Sequence, residues 1–133
     1  MIRVFVKKQS NFPIKTADIK KKLASFFKKS GIVSDAEVSV ALVGKQKMLD
    51  IGKKYLKDNK VHNVFSFTPD ESINSLSGGK FVYPPEAKIY LGEIVLCYPK
   101  VVEEANSEGI RTDVKIMELI EHGAMHLMGI HHD

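Results

Sequence analysis

The sequence predicts an α/β fold, a small mixed-sheet sandwich of four or five strands with helices flanking the sheet. Three observations carry this reading. Apolar residues alternate with a period of two in short runs such as IRVFV and AEVSVALV. Elsewhere they recur every three or four positions, as Ile19, Leu23, Phe26 and Phe27 do. The two kinds of segment follow one another as β-α-β-α-β-β-α-α, and the early connections are long enough for crossover helices. At 133 residues and 44% hydrophobic, the chain has material for one core, so residues 1–133 read as a single domain.

The elements follow in order. IRVFV is a strand with Ile2, Val4 and Val6 on one face and Arg3 on the other. NFPIKT connects it to a helix that Thr16 is expected to cap, that lysines 20–22 and 28–29 surround, and that stops near Gly31. AEVSVALV is the second strand, with Val38, Val40 and Leu42 on its core face. A helix over about 45–56 carries Met48, Ile51 and Tyr55 on one side, although Gly52 weakens it. After the KDNK turn, VHNVFSF is a strand. Residues 68–87, with Pro69, Pro84, Pro85 and Gly78–Gly79, read as a loop containing a short hairpin. KIYLGEIVLC is the last strand, where Gly92 marks a bulge or a close approach. Pro99 fits the first turn of a helix running to about 108, and a final helix runs from near 111–114 to about Met128.

Composition sets bounds on function. No run approaches the length of apolar residues that a membrane helix needs, so no membrane role is expected. The start, MIRVFVKKQS, has no small-residue cleavage pattern, which argues against a signal peptide and for a cytoplasmic protein. The one cysteine, Cys97, lies in the apolar run IVLCYP and reads as a small core residue rather than a nucleophile. Charge is distributed unevenly. Residues 1–60 hold 15 Lys and Arg against 5 Asp and Glu, a balance of +10, while residues 61–133 hold 5 against 11, a balance of −6. A basic first half favours polyanions through attraction and counterion release.

The strongest chemical signal is at the end, IEHGAMHLMGIHHD, with four histidines in the last twelve residues. His122 and His126 are four apart and so share a helical face. Gly129 then allows the helix to stop, because glycine enters left-handed backbone conformations without strain. His131 or His132 can fold back toward the pair, and spacing alone does not choose between them. With His122 at zero, Arg111, Lys115, Glu118 and His126 fall within a sector of about 80°, with apolar residues on both flanks. The last helix is therefore expected to be largely buried, metal-binding and open onto a narrow polar cleft. Three neutral imidazoles suit one Zn²⁺ ion with a position left for water, which zinc activates near neutral pH. Asp133 is a candidate acceptor behind the ligands.

HGAMHLMGIHH resembles the H-G-x-x-H-L-x-G-x-x-H signature of the YbeY family of zinc-dependent endoribonucleases. VHNVFSF and LGEIVLCYP are similar to that family's T-D-V-L-S-F and L-G-D-I-x-I-x-x-P segments. The resemblance spans nearly the whole chain and implies a YbeY-like endoribonuclease domain. It assigns the metal to His122, His126 and His132. It implies metal-dependent cleavage of single-stranded RNA in ribosomal RNA processing, above all maturation of the 16S 3′ end. The implied partners are ribosomal RNA or the small ribosomal subunit, together with ribosome-biogenesis proteins, and no DNA.

The sequence departs from the pattern at three places. Leu56 follows Tyr55 where the family has an arginine, Asn63 stands for an aspartate, and His131 for another. Lys57 is the cation nearest the missing arginine and is the candidate for phosphate binding and catalysis, although it lacks arginine's planar fork. Glu118 is a candidate proton carrier, and Ser66 a candidate substrate contact or hydrogen-bonding group rather than a nucleophile. His62 reads as an ordinary surface histidine. Two other functions compete with this one. A non-catalytic ribosome-associated RNA-binding or assembly factor would explain the basic half and the lost arginine. A metalloprotease would share the histidine spacing, but Gly123 stands where such an enzyme has its glutamate base.

Overall fold

The computed structural model describes residues 1–69 and 89–129. The elements are β1 (Ile2–Lys8), α1 (Thr16–Lys29), β2 (Ala36–Val43), α2 (Lys45–Tyr55), β3 (Val64–Phe67), β4 (Ile89–Cys97), α3 (Tyr98–Glu108) and α4 (Thr112–Leu127). The strands form one mixed sheet in the order β1-β2-β4-β3. β1 and β4 both run parallel to β2, and β3 runs antiparallel to β4. Among the described strands β3 is therefore an edge. The expected α/β class and mixed sheet appear, and the described elements follow in the expected order. The loop and hairpin expected over 68–87 fall, beyond Pro69, outside the described residues.

Period-two alternation directs side chains to two cores. On one face Val4, Val38, Val40, Leu42, Ile94 and Leu96 pack with Ile19, Leu23 and Phe27 of α1 and with Ile116, Ile120 and Ala124 of α4. Burying each of these larger side chains stabilises the fold by roughly 1.5–3 kcal/mol. On the other face Val43, Val95, Cys97 and Phe67 pack with Met48 and Ile51 of α2. Cys97 is fully buried, and burial pushes its thiol pKa up, which suits a core residue and not a nucleophile. No described helix is long and apolar enough to cross a membrane.

Two details differ from expectation. Thr16 is the first residue of α1 and not its cap; Lys15 holds the cap position with extended backbone and gives no side-chain hydrogen bond. The last helix is buried on one side only. Ile116, Ile120, Gly123 and Ala124 face the sheet, whereas Val114 is 42% exposed and Glu118 and His122 are exposed. A helix lying across one sheet face buries a single stripe. Apolar residues on both flanks of α4 made the sequence read as more enclosed than it is.

Glycines fix two close contacts near the sheet edge. The register of β2 against β4 shifts between Glu37 and Val38, so Leu91 is an extra residue in β4. Gly92 follows with φ of 133°, and a Cβ there would lie 2.3 Å from the Phe67 carbonyl oxygen and 2.7 Å from Leu127 Cδ2. Gly92 thus satisfies both expectations, a bulge and a close approach. Gly52, which weakens α2 in isolation, admits the chain that follows the helix. A Cβ at 52 would meet Asp58 Oδ1 at 2.9 Å and the Lys60 carbonyl at 3.2 Å.

Candidate metal centre

The site lies where three elements meet at the β3 edge. α4 crosses one face of the sheet and its last two turns overlie β3 and β4, with Gly123 against Ile94 and Leu127 against Gly92. Those turns carry His122 and His126 to the edge. α2 approaches from the opposite face and ends there with Tyr55 and Leu56. The resulting cavity, about 470 Å³, is lined by His122, Gly123 and His126 on one side and by Tyr55 and Leu56 on the other. Val64, Phe65, Ser66 and Phe67 of β3 line it as well.

Ser66 Oγ and His126 Nδ1 are 2.7 Å apart. With the ring proton on Nδ1, His126 donates to Ser66 and keeps a lone pair on Nε2, the tautomer a metal ligand requires. The chain between α2 and β3 is also held. Asp58 accepts hydrogen bonds from His62 Nε2 at 2.9 Å and from the Lys60 backbone N–H at 3.2 Å. The His62 bond holds the Asp58 carboxyl below its ordinary value of 3.8. Asn63 Nδ2 donates to Glu104 Oε1 of α3 at 2.8 Å, tying the start of β3 to the helix layer.

Of the residues singled out in the sequence, the cleft brings together His122, His126 and Ser66. Leu56, the position of the missing arginine, stands on its wall. Lys57 is exposed and follows directly, in left-handed backbone with φ of 55°. Glu118 lies elsewhere, on a groove shared with Lys22, Met117 and Glu121. Lys115 pairs with Glu108 at 2.8 Å and Arg111 with Asp113 at 2.6 Å, so the polar line predicted on α4 reaches the cleft only at its last two members. His131, His132 and Asp133 are outside the described residues. Among the described residues no three His, Cys, Asp or Glu side chains form a metal-holding group. The chemistry of the described donors fits a borderline metal such as zinc: two imidazoles one helical turn apart, one of them oriented through its other nitrogen.

Sequence reasoning missed the His126–Ser66 and Asn63–Glu104 pairs, both of which join residues distant in the chain. It also described the cleft as polar. The walls that α2 and β3 contribute are largely apolar, which alternation in VFSF gave grounds to expect.

A mixed α/β domain that brings a histidine pair and a serine together in one cleft at the sheet edge is a small α/β protein with a candidate metal centre. The chain matches the family described as Endoribonuclease YbeY over residues 5–133, and it belongs to that family. Among its relatives, the protein named Endoribonuclease YbeY from Dehalococcoides mccartyi is 26% identical over 133 residues, 98% of this chain and 77% of its own length. The protein of the same name from Staphylococcus epidermidis is 33% identical over 105 residues, 79% of this chain and 65% of its own. That from Staphylococcus saprophyticus is 33% identical over 112 residues, covering 84% and 69%. In fold, the chain is similar to the solution structure of TM1509 from Thermotoga maritima, with a TM-score of 0.61 and 22% identity over all of this chain and 75% of that one.

Proposed function

We propose that this chain is a zinc-dependent endoribonuclease acting on single-stranded RNA in ribosomal RNA processing, with the 3′ end of 16S ribosomal RNA as its principal substrate. The observation that carries the reading is the 2.7 Å contact from Ser66 to His126, one turn beyond His122, in the cleft of a YbeY-family chain. His122, His126 and His132 would hold the ion. When bound, zinc supplies a Lewis acid that acidifies water and draws charge from a phosphoryl oxygen.

The chain's own residues do the remaining work. Ser66 fixes the His126 ring, so that the ligand nitrogen is set before substrate arrives. The cleft beside β3, an edge among the described strands, suits an extended single strand better than an A-form duplex, whose backbone is wound around a rigid cylinder. Lys53, Lys54, Lys57 and Lys60, at and beyond the end of α2, draw in the phosphodiester backbone. Lys57 takes the phosphate-facing part left by Leu56. Glu118 opens onto a different surface and is left aside from the chemistry.

Leu56 favours one competing reading, an RNA-binding assembly factor that does not cut, because leucine offers no donor to a scissile phosphate. A protease is less well supported. A side chain at position 123 would be directed at Ile94, whose atoms lie 3.1–3.4 Å from a built Cβ, leaving no room for a glutamate base. The test is cleavage of matched single-stranded and duplex ribosomal RNA fragments by native protein and His126→Ala. Zinc-dependent cutting of the single strand by native protein alone is expected. RNA binding with no cutting under any metal would leave the assembly reading.

A further inference from the structure

The wall facing the imidazoles is unusual for a site that handles a charged backbone. Leu56 is 51% exposed and packs in neither core, yet it lines the same cavity as His122 and His126. Phe65 lines the same cavity, partly buried, its ring 4.7 Å from His62 and 5.9 Å from Phe67. Tyr55 completes the wall, edge-on to Phe67 at 5.2 Å, with Lys54 Nζ 5.3 Å from its ring centroid. A half-exposed leucine in the same cavity as aromatic rings presents apolar surface there, and among the described residues Leu56 belongs to neither core. Its complement must be flat and apolar. Negative charge close by also suits it, since Lys54 Nζ lies over the Tyr55 ring and exposed Lys53 and Lys57 flank Tyr55 and Leu56 in the chain. An unpaired ribonucleotide joins those two features in one unit, a base face and a phosphate one ribose away.

We propose that Leu56 and Phe65 form a nucleobase-binding subsite, taking the base of an unpaired nucleotide whose phosphate lies toward His122 and His126. The inference rests on the RNA-cleaving reading of the cleft and adds how the strand is gripped. Here the substrate is held through its base, where an arginine at position 56 would hold it through phosphate. Base contacts of this kind tolerate any sequence but demand an unstacked strand, so the subsite itself selects single strands over duplexes.

The test measures affinity and not cleavage, with chelator present. A short oligoadenylate and the same ribose-phosphate strand without bases carry equal charge. Native protein is expected to prefer the base-bearing strand by about tenfold, the scale of one base contact. Leu56→Ala should remove most of that preference by weakening the base-bearing strand alone, and Leu56→Phe should keep it. Leu56 lies outside both described cores, so both variants are expected to keep the native circular dichroism spectrum. Equal affinity of native protein for the two strands, no measurable binding of either, or an equal change in both with Leu56→Ala overturns the subsite. Base-dependent binding through Leu56 in a protein that cuts no RNA would uphold the subsite and remove the endoribonuclease reading instead.

Discussion

At Ser66, one hydroxyl lies 2.7 Å from Nδ1 of His126. The two residues are sixty positions apart in sequence and meet only because α4 crosses β3. Ser66→Ala removes the hydrogen-bond partner of His126 Nδ1 and lets the ring rotate or change tautomer. Zinc affinity should fall about 10- to 100-fold, as it does when such outer partners are lost. Competition titration against a zinc-binding dye would show this, and an unchanged affinity would take Ser66 out of the site. Asn63 carries a second prediction. Its amide donates to Glu104, and an aspartate there, as in the family's segment, would set two acceptor-only carboxylates together. Asn63→Asp should lose about 1–3 kcal/mol in urea unfolding, and adding Glu104→Gln should recover most of it. This departure from the family pattern is thus explained by its neighbour on α3. The sequence displayed the odd residue plainly but not its partner 41 positions later.

Among the elements, β4 and α4 were the most legible. Gly92 inside an apolar run signals a bulge or a close approach, and the His122–His126 spacing requires a helix whose face meets something. Which part of α4 meets the cleft was not legible, because side-chain angles around a helix say nothing of where it crosses a sheet. Arg111, Lys115 and Glu118 share a sector with His122 yet end up on other surfaces. Thr16 misled for a related reason: a residue suited to capping is the first residue of the helix, and Lys15 before it holds the cap position. The crossing itself depends on two glycines. Gly92→Ala combines left-handed backbone with a contact to backbone oxygen that cannot move aside, and should cost roughly 3 kcal/mol or more. Gly123→Ala meets only the Ile94 side chain, which can shift, so roughly 1–3 kcal/mol is expected. Thermal melts of the two variants should keep that order. A Gly92→Ala protein as stable as native would mean that α4 is not held by this approach.

For the whole molecule, the sequence conveyed the charge asymmetry and left open what it does. Several acidic partners were visible only in the structure: Glu103 pairs with Lys45, Glu121 with Lys22, and Glu108 with Lys115. Lys53, Lys57 and Lys60 are exposed at and beyond the end of α2, so RNA affinity should fall steeply with salt. Acid sensitivity has an identifiable source. The Asp58 carboxyl is held below 3.8 by His62, Asp113 below 3.8 by Arg111, and Glu103 below 4.5 by Lys45. Groups with depressed values stabilise the fold above their unfolded values and stop doing so as pH falls through the folded ones. The loss therefore begins near pH 4 and deepens below it. The Lys45–Glu103 and Arg111–Asp113 pairs are exposed and contribute little alone, while Asp58 and His62 are part-buried. Asp58→Asn should show a smaller drop in urea midpoint than native between about pH 7 and pH 3, and an equal drop would remove this pair from the acid response.

The central claim is that the histidine pair at the β3 edge is a metal centre that cuts RNA. Its most direct test is to strip native protein with chelator and follow cleavage of single-stranded ribosomal RNA while zinc is returned in measured equivalents. The account predicts that cutting vanishes, returns in full at about one zinc per chain, and never returns in His126→Ala. Cleavage that survives complete metal removal, or that His126→Ala retains at the native rate, would contradict it.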